Sequence, residues 1–211
     1  MQNPLKGHHL APVISVLVCA GIVISGVSTV RSFLQNSQRE HMDLVMALSK
    51  SGEEASLLKV IDEKMNVPME TKVNLARTIT TLCTAKRLPV DLMCGVIDVE
   101  TGGTWNPRLV SPKGARGLLQ VMPATGRVYL RAERVDPSDI MESLMDPVTS
   151  ALVGISVLAD YHEQAVLFRQ EASTDYGMAL ALYNEGPKAS GISDYSRAVL
   201  EAAKKYKARG V

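Results

Sequence analysis

Residues 10–30 read LAPVISVLVCAGIVISGVSTV, a run of 21 residues without a charge. As a helix rising about 1.5 Å per residue it spans the roughly 30 Å hydrocarbon core of a bilayer. A cleaved signal peptide is the competing reading, and Gly26-Val27-Ser28 offers small residues for a cut. Its apolar region is usually about 7–15 residues, shorter than this run, so an uncleaved anchor is expected. Cys19 follows Val18, where a lipid-modified cysteine requires a small residue, and it reads as membrane-facing. The amino terminus and Lys6 nearly balance Arg31 and Arg39 across the run, so flanking charge leaves the orientation open.

The rest of the composition narrows the class. Lys plus Arg number 23 against 22 Asp plus Glu, in a chain 46% hydrophobic and 21% charged. That is too apolar for a disordered polymer and lacks the basic excess of a nucleic-acid binder, so no nucleic-acid partner is expected. The aromatics are one Trp, two Phe and six Tyr, so Ala, Val, Leu, Ile and Met supply the apolar fraction. Such residues suit helices better than a β-sandwich. Three cysteines exclude a disulfide-stapled small fold. The slightly positive mean hydropathy reflects the apolar run at the front.

Four segments follow from this pattern: a tail at residues 1–9, a transmembrane helix at 10–30, a helical stalk or linker at 31–70, and a folded domain at 71–211. The stalk is polar with short apolar stretches, such as residues 42–48, and Ser49 to Gly52 reads as a break. A solvated connector is the simpler account of it; packing on a partner is the other. From Thr71 the apolar spacing is helical. Val73, Leu75, Ala76, Ile79, Leu82 and Cys83 mark one helix, ended at Arg87-Leu88-Pro89. Asp91 opens a second that runs to Glu100 and is closed by Gly102-Gly103. Asp146-Pro147 caps a long apolar helix to about Arg169, with further helices over residues 176–183 and 193–206. No strand pattern of useful length appears, so the domain is expected to be all-α. Cys83 and Cys94 flank the turn at Pro89 symmetrically; they read as small core residues or as a disulfide pair.

The histidines, at positions 8, 9, 41 and 162, have no metal-ligand spacing, and no metal is expected. No P-loop, dinucleotide glycine fingerprint or serine-hydrolase elbow is present, and no cofactor is expected. Glu100 stands out. It ends an apolar helix, where the negative dipole end and apolar neighbours both favour its protonated form. A protonated carboxyl near neutral pH is what a general acid requires. Asp98 lies about 200° around the helix from Glu100, so the two face apart. Gly and Pro are dense in Ser111-Pro112-Lys113-Gly114-Ala115-Arg116-Gly117-Leu118-Leu119-Gln120-Val121-Met122-Pro123 and again around Tyr183-Asn184-Glu185-Gly186-Pro187. Tight turns of this kind project uncharged hydrogen-bonding groups inward, as in a sugar cleft.

Three ordered blocks, Glu100-Thr101, Ser111 to Pro123 and Leu182 to Gly186, resemble the lytic transglycosylases of the soluble type, which share a lysozyme-like fold. Departures are Leu119 for Met, Leu182 for Ala and Glu185 for Ala. The resemblance implies a peptidoglycan lytic transglycosylase that cleaves the β-1,4 bond between N-acetylmuramic acid and N-acetylglucosamine. Glu100 would protonate the leaving oxygen, then accept the muramic 6-hydroxyl proton as a 1,6-anhydro ring closes. It also implies that the substrate's own N-acetyl group stabilises the intermediate, so that one carboxylate suffices. Tyr183 would bond near Glu100 or the substrate, and Ser111, Gln120, Met122 and Asn184 would line the cleft. Peptidoglycan strands are thus the expected partner, with the membrane reached through residues 10–30 and the domain on the periplasmic side. Two alternatives stand beside this. If Glu185 activated a water, the enzyme would be a hydrolysing muramidase. A short anchored chain also suits a wall-binding factor of a phage particle or secretion apparatus.

Overall fold

The computed structural model describes residues 52–130, 136–169 and 176–211. The chain divides into Met1–Leu48 and a compact unit, Ser49–Val211, to which all the described residues belong. The expected tail, membrane helix and first part of the stalk lie outside the described residues. Among those described, no helix is long and apolar enough to cross a membrane.

The described helices are α1 (Gly52–Lys64), α2 (Met69–Lys86), α3 (Val90–Glu100), α4 (Pro123–Tyr129), α5 (Pro137–Ser143), α6 (Pro147–Arg169), α7 (Gly177–Glu185) and α8 (Asp194–Lys207). A 3-10 turn, Gly186–Lys188, follows α7. The fold is all-α. Among the described residues the only extended pairing is two isolated bridges, Val110 with Arg116 and Arg116 with Val121. The boundaries follow the punctuation. Arg87 ends α2 in the left-handed region at φ 56°, and the Leu88 amide donates to the Cys83 carbonyl at 2.9 Å. Asp146 accepts from the Thr149 amide at 2.8 Å, capping α6 ahead of Pro147.

α3 is the centre of the unit. Val90 and Leu92 through Ile97 are all buried, as expected of a helix that is apolar on nearly every side. α8 crosses α3 at Gly95, where a Cβ would stand 2.7 Å from the Val199 carbonyl oxygen and 2.9 Å from the Ala203 nitrogen. α2 packs on α6 and α1, while α7 bridges α6 and α8. Cys83 and Cys94 are both buried and carry free thiols. Burial pushes the Cys83 thiol up to about 12, which suits an apolar core position and leaves no thiolate for exchange.

One stretch assigned to the stalk belongs to the core instead. Leu57, Leu58, Val60 and Ile61 of α1 are at most 1% exposed, against α2. Burying side chains of that size contributes roughly 1.5–3 kcal/mol each, which a solvated connector would forgo. Polar ties fasten the same helix: Arg209 donates to Glu63 at 2.7 Å and Lys64 to the Gly103 carbonyl at 3.1 Å.

The close crossing at Gly95 makes a stability prediction. Gly95→Ala should destabilise the unit by about 1–3 kcal/mol in denaturant melts, because backbone atoms of α8 must give way. Gly191→Ala, where nothing lies within 4 Å, should be nearly neutral.

Candidate active site

Glu100 is the last residue of α3, and the chain must turn sharply beyond it. Thr101 makes that turn: its hydroxyl donates to the Ile97 carbonyl at 2.6 Å and accepts from the Trp105 amide at 3.0 Å. Gly102 and Gly103 then take positive φ, and the Gly103 amide closes the helix end on the Asp98 carbonyl at 2.7 Å. Nothing lies within 4 Å of where either glycine would carry a Cβ, so the turn that follows Glu100 borders open space.

Asp98 and Glu100 divide the end of α3 between them. Asp98 Oδ1 accepts from Trp105 Nε1 at 2.8 Å and from Tyr206 Oη at 2.6 Å, with Lys64 Nζ at 3.7 Å. It is therefore spent on structure, tying α1, α8 and the fully buried Trp105 to α3. Glu100 faces the other way, as the helical spacing predicts. Its Oε1 accepts from Tyr195 Oη at 2.6 Å. Burial raises the Glu100 pKa above the ordinary carboxylate range, and the bond from Tyr195 works against that rise.

Local sequence around Tyr195 shows only a helix start, over residues 193–206. Tyr195 sits in the first turn of α8 beneath a capping box formed by Ser193 and Ser196. Ser196 Oγ also donates to the Gly177 carbonyl at 2.7 Å, which fixes the start of α8 to the start of α7. The cap thus sets the angle at which Tyr195 reaches Glu100.

The other expected residues fall into two groups. Tyr183, on α7, lies near enough for the charge of Glu100 to raise its pKa, second to burial. Its hydroxyl donates to the Leu119 carbonyl at 2.7 Å rather than to Glu100. Glu100, Tyr183 and Tyr195 form one cluster, since both Glu100 and Tyr183 act electrostatically on Tyr195. Ser111 and Gln120 shape the neighbouring loop. Ser111 Oγ accepts from the Ala115 amide at 3.0 Å. Gln120, at φ 44°, donates its amide nitrogen to the carbonyls of Gly117 at 2.8 Å and Leu109 at 3.2 Å. Gly117 is held so closely that a Cβ would lie 2.0 Å from the Leu144 oxygen. Met122, 43% exposed, precedes α4, and Asn184 and Glu185 are exposed at the end of α7. No hydrogen bond joins Ser111, Gln120, Met122 or Asn184 to Glu100. Among the described residues no group of three His, Cys, Asp or Glu side chains could hold a metal ion.

The model of the transglycosylase SLT domain matches residues 78–204, more than half of the chain. The chain belongs to this family. The matched residues run from α2 into α8 and include Glu100, all the expected cleft residues and Tyr195, while α1 precedes them. Among curated proteins, the soluble lytic murein transglycosylase of Escherichia coli (strain K12) is 30% identical over 102 residues. That alignment covers 48% of this chain and 14% of the relative. The protein of the same description from Salmonella typhimurium (strain LT2) is 34% identical over 83 residues, 39% of this chain and 12% of its own length. The similarity to these relatives is thus confined to a small part of each.

In this SLT domain the Tyr195 bond favours the ionised form of Glu100, so removing it must raise the pKa further. In a ¹³C-carboxyl titration, Tyr195→Phe should move the Glu100 midpoint to higher pH than in the wild type. An unmoved or lowered midpoint would contradict the assignment.

Proposed function

We propose that this chain is a peptidoglycan lytic transglycosylase that opens the wall locally, with Glu100 as its single acid and base. The observation that carries the reading is a half-buried carboxyl of raised pKa on which, among the described residues, no second carboxylate acts. Asp98 is bonded to Trp105 and Tyr206, and Glu185 is exposed. Hydrolysing glycosidases of the common kind need two carboxyls about 5–9.5 Å apart across the bond. A site with one acid instead suits a reaction in which the substrate supplies its own nucleophile.

In that reaction the protonated Glu100 gives its proton to the oxygen between N-acetylmuramic acid and N-acetylglucosamine. The bond from the anomeric carbon to that oxygen breaks, and its electron pair leaves with the oxygen. The carboxylate then takes the proton of the muramic 6-hydroxyl as that oxygen bonds to the anomeric carbon. No water is consumed, and Glu100 ends protonated, ready for another turn. Burial supports the first step by holding the proton; the Tyr195 hydroxyl supports the second by stabilising the carboxylate. Ser111, Gln120, Met122, Tyr183 and Asn184 line the glycan cleft in this account, with Tyr183 and Gln120 shaping it through the Leu119 and Gly117 carbonyls. Residues 71–211 carry 17 basic and 15 acidic side chains, a near balance that suits an uncharged sugar backbone. The uncharged run at residues 10–30 anchors the chain in the membrane, with the SLT domain on the peptidoglycan side, as an accessory to a larger envelope or virion assembly.

Digestion of purified sacculi tests the reading. Muropeptides ending in 1,6-anhydro-muramic acid are expected. Reducing muramic ends would make it a muramidase, and binding without turnover a wall-binding factor. Glu100→Gln should lower cleavage by roughly 10²–10⁴-fold, the usual worth of a general acid, with helical circular dichroism unchanged.

A further inference from the structure

α3 ends against its own electrostatics. Its last turn holds two carboxyls, Asp98 and Glu100, and no basic residue, although the negative end of a helix dipole favours a cation. The turn that follows is built on the residue type with the freest backbone, since Gly102 and Gly103 both take positive φ, at 58° and 77°. The Gly103 amide donates to the Asp98 carbonyl at 2.7 Å, which holds that glycine from inside α3.

The cation that α3 lacks comes from α1. Lys64, the last residue of α1, donates from Nζ to the Gly103 carbonyl at 3.1 Å and stands 3.7 Å from Asp98 Oδ1. The first contact is a hydrogen bond; the second is too long for one and acts through charge. Asp98 Oδ1 already accepts from Trp105 and Tyr206. One ammonium therefore touches both the carboxylate that ties α3 to its neighbours and the glycine turn that follows Glu100.

The end of α1 is itself held in register. Three consecutive residues there reach three different parts of the unit. Asp62 accepts from Lys72 of α2 at 2.8 Å, Glu63 accepts from Arg209 beyond α8 at 2.7 Å, and Lys64 donates to Gly103. Exposed pairs such as the first two add little to stability one at a time, so their use is to fix where the helix end lies. Leu57, Leu58, Val60 and Ile61 seat the same helix on α2. α1 precedes residues 78–204, so the tie to Gly103 comes from outside the matched SLT domain.

Among the described residues no hydrogen bond joins Lys64 to Glu100. Its influence runs through the turn: Gly103 is gripped by its amide and its carbonyl, and Glu100 is the residue from which that turn departs. We propose that Lys64 is a positioning residue for the reaction, whose clasp on Gly103 and Asp98 keeps the Glu100 carboxyl seated against the Tyr195 hydroxyl. This rests on the reading of Glu100 as the acid, and it makes α1 part of the active unit.

A double-mutant cycle in the full chain tests it. Tyr195→Phe is introduced into wild type, Lys64→Met and Lys64→Arg, and the Glu100 midpoint is read in each by ¹³C-carboxyl titration. Lys64→Met keeps the stem and removes the donor, whereas Lys64→Arg keeps charge and donors. The upward shift caused by Tyr195→Phe should be roughly halved or less in Lys64→Met and close to its full size in Lys64→Arg. In sacculus cleavage, Lys64→Met should lower kcat by roughly fivefold or more with KM little changed, and Lys64→Arg should restore it. Circular dichroism checks folding, and Lys64→Gln, shorter and uncharged, takes the place of Lys64→Met if that variant does not fold. The same shift in all three backgrounds would overturn the assignment even if Lys64→Met melted earlier, because a merely stabilising contact leaves the Tyr195 bond intact. The two readings fail separately. A halved shift in a chain that cleaves no sacculi removes lytic activity and keeps Lys64 as the residue that seats the carboxyl. Anhydro products with an unchanged cycle remove only Lys64.

Discussion

The crossing of α3 and α8 at Gly95 sets the position of everything near Glu100. Absence of a side chain there lets the α8 backbone approach to about the distance of a missing methyl group. From that contact α8 reaches both ends of the same job. Tyr206, toward its C-terminus, bonds Asp98 and holds the end of α3, while Tyr195, in its first turn, bonds Glu100. A bulkier residue at position 95 would move both phenols together, so stability and the state of the acid are coupled through one helix pair.

The acid itself sits in tension. Burial favours the neutral carboxyl and the Tyr195 hydroxyl favours the carboxylate. In the proposed reaction Glu100 first gives up a proton and then takes one back, and such opposed influences suit it, since neither form is held too firmly. The same burial carries a stability cost. The folded-state pKa is raised, so the neutral form contributes fully below the unfolded value, and stability is lost as pH rises through the folded one. Active sites commonly retain strain of this kind.

Much of this was legible in the chain. The helix ends at Arg87, Asp146 and Ser193 are written in local capping chemistry, and the structure keeps them within a residue or two. Glu100 could be picked out because eight apolar or nearly apolar neighbours precede it on one short helix. Asp98 could be set aside by angle alone. Tyr195 could not be found in this way, because the bond it makes spans 95 positions. Nor could the partner of Tyr183, which depends on how Leu119 is folded back over Gly154. α1 was misread for a related reason. Glu53, Glu54, Lys59, Asp62, Glu63 and Lys64 give it the charge of a solvated connector, and its buried stripe has meaning only once α2 covers it.

The central claim is that Glu100 acts as an acid whose proton is retained by burial and moderated by Tyr195. The pH dependence of kcat/KM for sacculus cleavage, compared between wild type and Tyr195→Phe, tests it most directly. Activity should fall on the alkaline side as Glu100 loses its proton, and in Tyr195→Phe that limb should move to higher pH while the maximal rate drops. A limb that stays in place, or moves to lower pH, would contradict the account.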